Sequence, residues 1–400
     1  MLARYMKSAL EGMRVLEITQ VMSGPFCGLL LADMGADVIK VEKPQGDDSR
    51  RMVPPIINGE SAPFMAINRN KRGISIDLKT DQGREVFRQL AARADVLIEN
   101  FRPGTMDGLG LGYDELSAGH PDLIYCSISG FGQTGPYRDR GGFDLVAQAM
   151  SGMISITGNP GEAPVKVGVP IADLNAGIYA CYAILAAYIH RLKTGEGQRI
   201  DTSLMEASLA YTFWESAIFF ATGANPPPMG SAHRLSAPYQ VFKVADGHIA
   251  LGGANQSNWR KLCEAIGRPD LLEDPRFGTN GDRTTNQREL AAVLESVFIS
   301  GSVEYWMAVF DDAGVPAGPV YNFSQIYSDP QVIARQMAVE IEHPAAGTTR
   351  LIGVPVKLSA TPGRICRPAP TLGQHTDEIL AEIGLDPEAI GGLREKKAVF

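Results

Sequence analysis

Short apolar runs alternate with longer amphipathic stretches through the first half of the chain. Residues 14–19 (RVLEIT) and 37–42 (DVIKVE) have the length and composition of buried strands, and residues 24–34 between them suit a helix. Together they form a βαβ unit. The pattern returns at residues 73–78 (GISIDL), in a helix across 81–93 with Val86, Phe87, Leu90 and Ala91 on one face, and at 95–99 (DVLIE). Residues 123–128 add another apolar run. Strands separated by helices need crossover connections, so this half predicts a parallel sheet in an α/β fold.

After Asp173 a helical stretch reaches about residue 192, and the turn at 193–197 (KTGEG) leads to a strand near 198–202 and a helix from Ser203. The longest apolar stretch, residues 176–189, is too short for a membrane span and reads as a buried helix. At residues 224–237 (ANPPPMGSAHRLSA) the chain becomes a Pro- and Gly-rich loop, which marks a domain boundary. Residues 239–251 then look like a hairpin turning at Asp246-Gly247, with helices expected at 258–266 and 286–300. From about Gly318, Pro-punctuated segments lead to a last helix at 376–383.

Composition narrows the classes of function. With 37 basic against 45 acidic residues the net charge is −8, which disfavours a polyanion-binding surface. The 44% hydrophobic and 20% charged residues describe a globular chain. Cys27, Cys126, Cys181, Cys263 and Cys366 are widely spaced without a C-x-x-C pair, which argues against a disulfide framework or zinc site and for a reducing, cytoplasmic compartment. The six histidines lack metal-ligand spacing, and residues 1–12 lack the apolar core of a secretory signal. Neither a G-x-S-x-G elbow nor a GxxxxGK[ST] loop occurs. Gly24 and Gly28 do not form G-x-G-x-x-G, so a nicotinamide dehydrogenase is disfavoured.

Three features carry candidate chemistry. Residues 21–25 (VMSGP) leave a strand and open a helix with Ser23 placed to cap it; such a start suits an anion, and an ordinary βα turn looks the same. Lys40, Lys43, Arg69, Lys71, Arg72, Lys79, Arg102, Arg138 and Arg140 gather at strand ends and loops, as a phosphate-rich ligand or a solvated face would have them. Asp173, in residues 168–177 (GVPIADLNAG), stands without charged neighbours at the mouth of a mostly apolar helix. It is either a capping carboxylate or a nucleophile toward an activated acyl group, with oxyanion donors drawn from Gly141-Gly142, Gly230 or Gly252-Gly253.

Several motifs then occur in a family order. They are residues 12–17 (GMRVLE), Ser23-Gly24-Pro25, residues 35–42 (GADVIKVE), Asn70-Lys71-Arg72, Asp77-Leu78-Lys79 and residues 99–104 (ENFRPG). Phe143-Asp144 with Ala147-Gln148-Ala149, residues 194–198 (TGEGQ) and residues 372–376 (LGQHT) complete the set. On these the chain resembles the class III coenzyme A transferases, the CaiB/BaiF family of formyl-CoA transferase and carnitine CoA-transferase. The resemblance implies a large Rossmann-like domain from residues 1–223 and 318–400, a smaller α+β domain from 224–317, and an interlocked homodimer. It implies an acyl-CoA:carboxylate CoA-transferase with Asp173 as nucleophile; small dicarboxylates, with succinyl-CoA or another dicarboxylyl-CoA as donor, and branched or aromatic acids all fall within the family's range, and no acceptor motif here chooses among them. Coenzyme A and its acyl thioester are then substrates, with no tightly bound cofactor, metal, nucleic acid or membrane. By position, CoA contacts carry over to Met22, Ser23, Lys43, Ile76, Lys79, Asn100, Phe101 and Arg102.

Departures from the family pattern refine this. Formyl-CoA transferase has a histidine and a glutamine where this chain has Gln20 and Met22, which argues against an oxalate or formate substrate. Gly108 replaces a basic residue common after the Met-Asp pair, leaving Arg102 or Arg140 to compensate for the phosphate contact. The rival within the family is the α-methylacyl-CoA racemase branch. Its proton-carrying histidine is Phe143 here, and residues 252–259 (GGANQSNW) lack its carboxylate; phenylalanine cannot shuttle a proton. A catalytically silent CoA-binding subunit is the third possibility, against which a retained Asp173 weighs.

Overall fold

The computed structural model describes residues 8–400. Its first strands and helices follow the periodicity closely: β1 (Arg14–Ile18), α1 (Ser23–Asp33), β2 (Asp37–Glu42), β3 (Arg72–Ser75), α2 (Asp81–Ala91), β4 (Val96–Glu99) and β5 (Ile124–Ser129). α3 (Asp144–Met150), α4 (Ile171–Thr194) and β6 (Gln198–Ser203) follow. All six strands are parallel and lie in the order β3-β2-β1-β4-β5-β6. The order reverses between β1 and β4, and in a doubly wound sheet that is where a crevice opens beyond the strands' carboxyl ends. The fold class is thus α/β, as the alternating pattern predicts.

Strand alternation divides the core. Val15, Val38, Val96, Ile98, Cys126 and Ile128 face α1 and α4, whereas Leu16, Ile18, Val41, Ile74 and Leu97 face α2 and the C-terminal helices. Burial on both faces is why these strands are almost continuously apolar. Charges that interrupt them, Glu17 in β1 and Lys40 in β2, are therefore fully buried.

Two compact units are present. The larger takes the chain up to Met153, Lys166–Ser216 and Pro330–Phe400; the smaller takes Ile154–Val165 and Ala217–Asp329. In the smaller unit the hairpin β7 (Tyr239–Lys243) and β8 (His248–Gly252) packs with helices α5 (Gln256–Ala265), α6 (Gln287–Phe298) and α7 (Val303–Ala313), and β9 (Ala317–Pro319) joins the sheet. Arg283 is fully buried there and donates to the carbonyls of Ala237 (2.7 Å), Phe277 (3.1 Å) and Ala254 (2.8 Å).

Three expectations are corrected. The helix at Thr376–Glu382 is not the last: Pro387–Glu395 follows, with Asp386 capping it and Pro387 in its first turn. Ser23 does not cap α1; Met22 is the N-cap residue, without a side-chain cap bond, and Ser23 is the first helical residue. The helix α4 is buried on one stripe only. Ala172, Ala176, Gly177, Ala180, Ile184 and Ala187 are buried, while Ile178, Tyr182, Ile189 and Leu192 on the other side are 43–70% exposed.

Candidate active site

Asp173 lies in the first turn of α4, three residues after the N-cap Pro170, and makes no side-chain cap. The amide at that helix start is satisfied from elsewhere: Asp144 Oδ1 accepts from Ala172 N–H at 2.8 Å. Asp144 Oδ2 in turn accepts from Gln148 Nε2 at 2.7 Å, and Gln148 Oε1 accepts from Val167 N–H at 3.0 Å. Gln148 is fully buried, so α3 clamps both ends of the segment that delivers Asp173. Asp173 itself makes no cap and stands partly buried, with the Ser23 hydroxyl near enough to favour its anion.

Burial, and then the nearby Asp144 carboxylate, push the Asp173 pKa up from 3.8 to about 7, against the Ser23 hydroxyl, which favours the anion. A carboxyl group poised there titrates at neutral pH. Its basicity makes the ionised form a better nucleophile than an ordinary surface aspartate.

The Ser23 loop is anchored on its other side. Asn100, just after β4, accepts from Gln20 N–H and donates to Gln20 O, both at 2.8 Å, and its Nδ2 reaches Ser23 Oγ at 3.4 Å. Gly177 of α4 allows the close approach, since a Cβ there would lie 2.7 Å from Ser23 O. Beyond Gln20 a cavity of about 250 Å³ opens at the carboxyl ends of β1, β2 and β3. Lys43, Ile76, Lys79 and Phe101 line it. The Ser23 loop, held to the cavity wall through Gln20 and Asn100, thus packs on the first turns of α4 beside Asp173.

A sequence profile described as CoA-transferase family III matches residues 10–376. The chain belongs to CoA-transferase family III. This CoA-transferase is 39% identical over 386 residues to succinyl-CoA:glutarate CoA-transferase of Homo sapiens, covering 96% of the chain and 88% of the relative. It is 39% identical over 387 residues to succinyl-CoA:mesaconate CoA-transferase of Haloarcula marismortui, covering 94% and 97%. A crystal structure of a CaiB/BaiF family protein from Brucella suis matches with a TM-score of 0.84 at 39% identity, over 94% of this chain and 99% of that one.

Other residues singled out from the CoA-transferase sequence fall in different places. Met22 sits beside Ser23, while the Arg102 guanidinium lies against Gly141 and that of Arg140 stacks 4.7 Å from the Tyr137 ring centre. Lys43 pairs with Asp48 at 2.8 Å on the cavity rim. Four of the clustered basic residues are neither phosphate-facing nor solvated: Lys40 and Lys71 are buried with Glu17, Arg69 pairs with Asp33, and Arg72 with Asp37, Glu378 and Glu382. Gly230, Gly252 and Gly253 belong to the smaller unit and Gly141-Gly142 to the larger. The sequence reading missed the Asp144–Gln148 clamp. Both residues stand in the Phe143-Asp144 and Ala147-Gln148-Ala149 motif, but their i, i+4 spacing marks a helix face as readily as a clamp. Among the described residues no group of three or more His, Cys, Asp or Glu could hold a metal ion.

Proposed function

We propose that this CoA-transferase moves coenzyme A from succinyl-CoA or another dicarboxylyl-CoA to a dicarboxylic acid through a covalent intermediate on Asp173. The observation that carries the reading is the Asp173 carboxyl group, uninvolved in capping while Asp144 takes the Ala172 N–H, close to the Ser23 hydroxyl and raised toward neutral pKa by burial and by Asp144. The Asp173 carboxylate attacks the thioester carbonyl, giving a mixed anhydride and CoA thiolate. The thiolate attacks the aspartyl carbonyl of that anhydride, releasing the donor acid and leaving an aspartyl-CoA thioester. The acceptor carboxylate and the thiolate then repeat these steps in reverse, restoring Asp173 and forming the new acyl-CoA. Each step exchanges one acyl bond for another, so no water, metal or redox partner is consumed.

The CoA nucleotide occupies the cavity by Lys43, Ile76, Lys79 and Phe101, with Arg102 and Arg140 toward its phosphates. Its pantetheine passes Met22, Ser23 and Asn100 to reach Asp173. Support comes from the Ser23 loop, held to the cavity wall and packed beside Asp173, and from the dicarboxylates in the relatives' names. Two copies pair through the exposed apolar stripe of α4, where Ile178, Tyr182, Ile189 and Leu192 repeat on one side of the helix.

The test is direct. Enzyme incubated with succinyl-CoA and treated with hydroxylamine should carry a hydroxamate at Asp173 by peptide mass, and new thioesters should form with glutarate or mesaconate. Full transfer by Asp173→Ala would remove the proposal. Light scattering of the intact chain and of Tyr182→Glu reads the dimer separately.

A further inference from the structure

Four fully buried charged side chains form a neutral quartet beneath α1: Glu17, Lys40, Asp47 and Lys71. Glu17 Oε1 is 3.3 Å from Lys40 Nζ and its Oε2 2.7 Å from Lys71 Nζ, while Lys40 is 2.8 Å from Asp47. Replacing such an array by apolar residues of equal volume is often neutral or stabilising, so stability alone is a weak reason for it. Its hydrogen bonds have a common destination. Lys40 donates to Thr19 O at 3.0 Å, Asp47 accepts from Val21 N–H at 3.1 Å, and Lys71 donates to Pro25 O at 2.8 Å.

All three tethers grip residues 19–25, the segment that carries Ser23 to Asp173. The grip holds an unusual backbone: Val21, a β-branched residue, has φ of 65°. Gly28 completes the fit, since a Cβ there would collide with Glu17 Oε2. Asn68 steadies the lysine from the opposite side, with its Oδ1 accepting from Lys71 Nζ at 2.9 Å.

We propose that Lys71, held by Glu17, is a positioning residue for CoA transfer: by gripping the Pro25 carbonyl it sets the register at which Ser23 meets Asp173. The inference rests on Asp173 being the nucleophile. Neither Lys71 nor Pro25, the carbonyl it holds, lines the nucleotide cavity, whereas Thr19 and Gln20 at the other end of the segment do, so its loss acts chiefly on turnover.

The experiment compares full-length enzyme with Lys71→Met and with the double variant Glu17→Gln/Lys71→Met. It reads kcat, KM for succinyl-CoA, hydroxamate yield at Asp173 and the melting midpoint, with turnover scaled to the folded fraction. Lys71→Met leaves the buried array with a net negative charge, Lys40 then facing both Glu17 and Asp47, and should lower the midpoint; the double variant restores neutrality and should recover it. In both, kcat and hydroxamate yield should fall on the order of 10- to 100-fold, the effect of a small misplacement at a reacting centre, with KM within about twofold. If kcat recovers with the midpoint in the double variant, or Lys71→Met turns over normally, the quartet only balances charge and the inference is overturned. Retained activity in Asp173→Ala would instead defeat the nucleophile assignment, whatever the Lys71 variants do.

Discussion

Replacing Asp173 by asparagine keeps its size and removes the charge, so it measures what the fold forgoes to keep a carboxylate ready. Ionisable at about 7 in the folded chain and at 3.8 ordinarily, the group binds its proton more tightly when folded. The native state therefore holds more protons than the unfolded state between those values, and unfolding free energy falls as pH rises through that window. Each tenfold in proton affinity is about 1.4 kcal/mol, which bounds the loss at about 4 kcal/mol by pH 8. The α4 N-terminus favours the anion by only about 0.3–1 kcal/mol, so burial and Asp144 outweigh it. Asp173→Asn should thus match the parent near pH 4 and become about 2–4 kcal/mol more stable by pH 8. Urea or thermal unfolding of both proteins from pH 4 to 8.5 provides the comparison, at about 2–4 °C of midpoint per kcal/mol for a unit of this size. Parallel curves, or a parent that gains on the variant as pH rises, would refute the argument that Asp173 is held against its preferred ionisation.

Asp144→Asn removes the charge that raises the Asp173 pKa, so the acid limb of kcat/KM should move to lower pH in a pH–rate profile. Gly177→Ala places a methyl 2.7 Å from Ser23 O, and calorimetry should show a loss of about 1–3 kcal/mol with reduced turnover as α1 and α4 separate. Arg283→Met in the smaller unit leaves the buried carbonyls of Ala237 and Phe277 and the part-buried one of Ala254 without this donor; chemical denaturation should register about 3 kcal/mol of destabilisation. Alanine at Lys43 or Lys79 should raise KM for the CoA ester more than for the acceptor acid, and unchanged values in both would leave the cavity without its nucleotide.

Much of this architecture was legible in residue order, because local spacing governs local conformation. Apolar strands, an amphipathic helix read at 81–93 and found at Asp81–Ala91, and a Pro-rich break at 224–237 announce themselves through period and turn chemistry. Even Asp173 was conspicuous as a lone charge opening an apolar helix. Its freedom from capping was not, since the carboxylate that satisfies Ala172 N–H belongs to Asp144, another element altogether. The helices at Val303–Ala313 and Pro387–Glu395 were passed over although Ser302 and Asp386 cap them, because their apolar stripes gain meaning only against the surfaces they cover. Lys40 and Lys71 mark the boundary most sharply. In the chain they belong to a scatter of basic residues that suits a phosphate or a wet surface equally. Only folding brings Lys40 to Glu17, 23 residues away, and Lys71 to Pro25, 46 residues away, inside a buried layer. There an unpaired charge is costly, so each becomes a fixed contact: periodicity decides which way a side chain points, while burial and distance decide what its charge does.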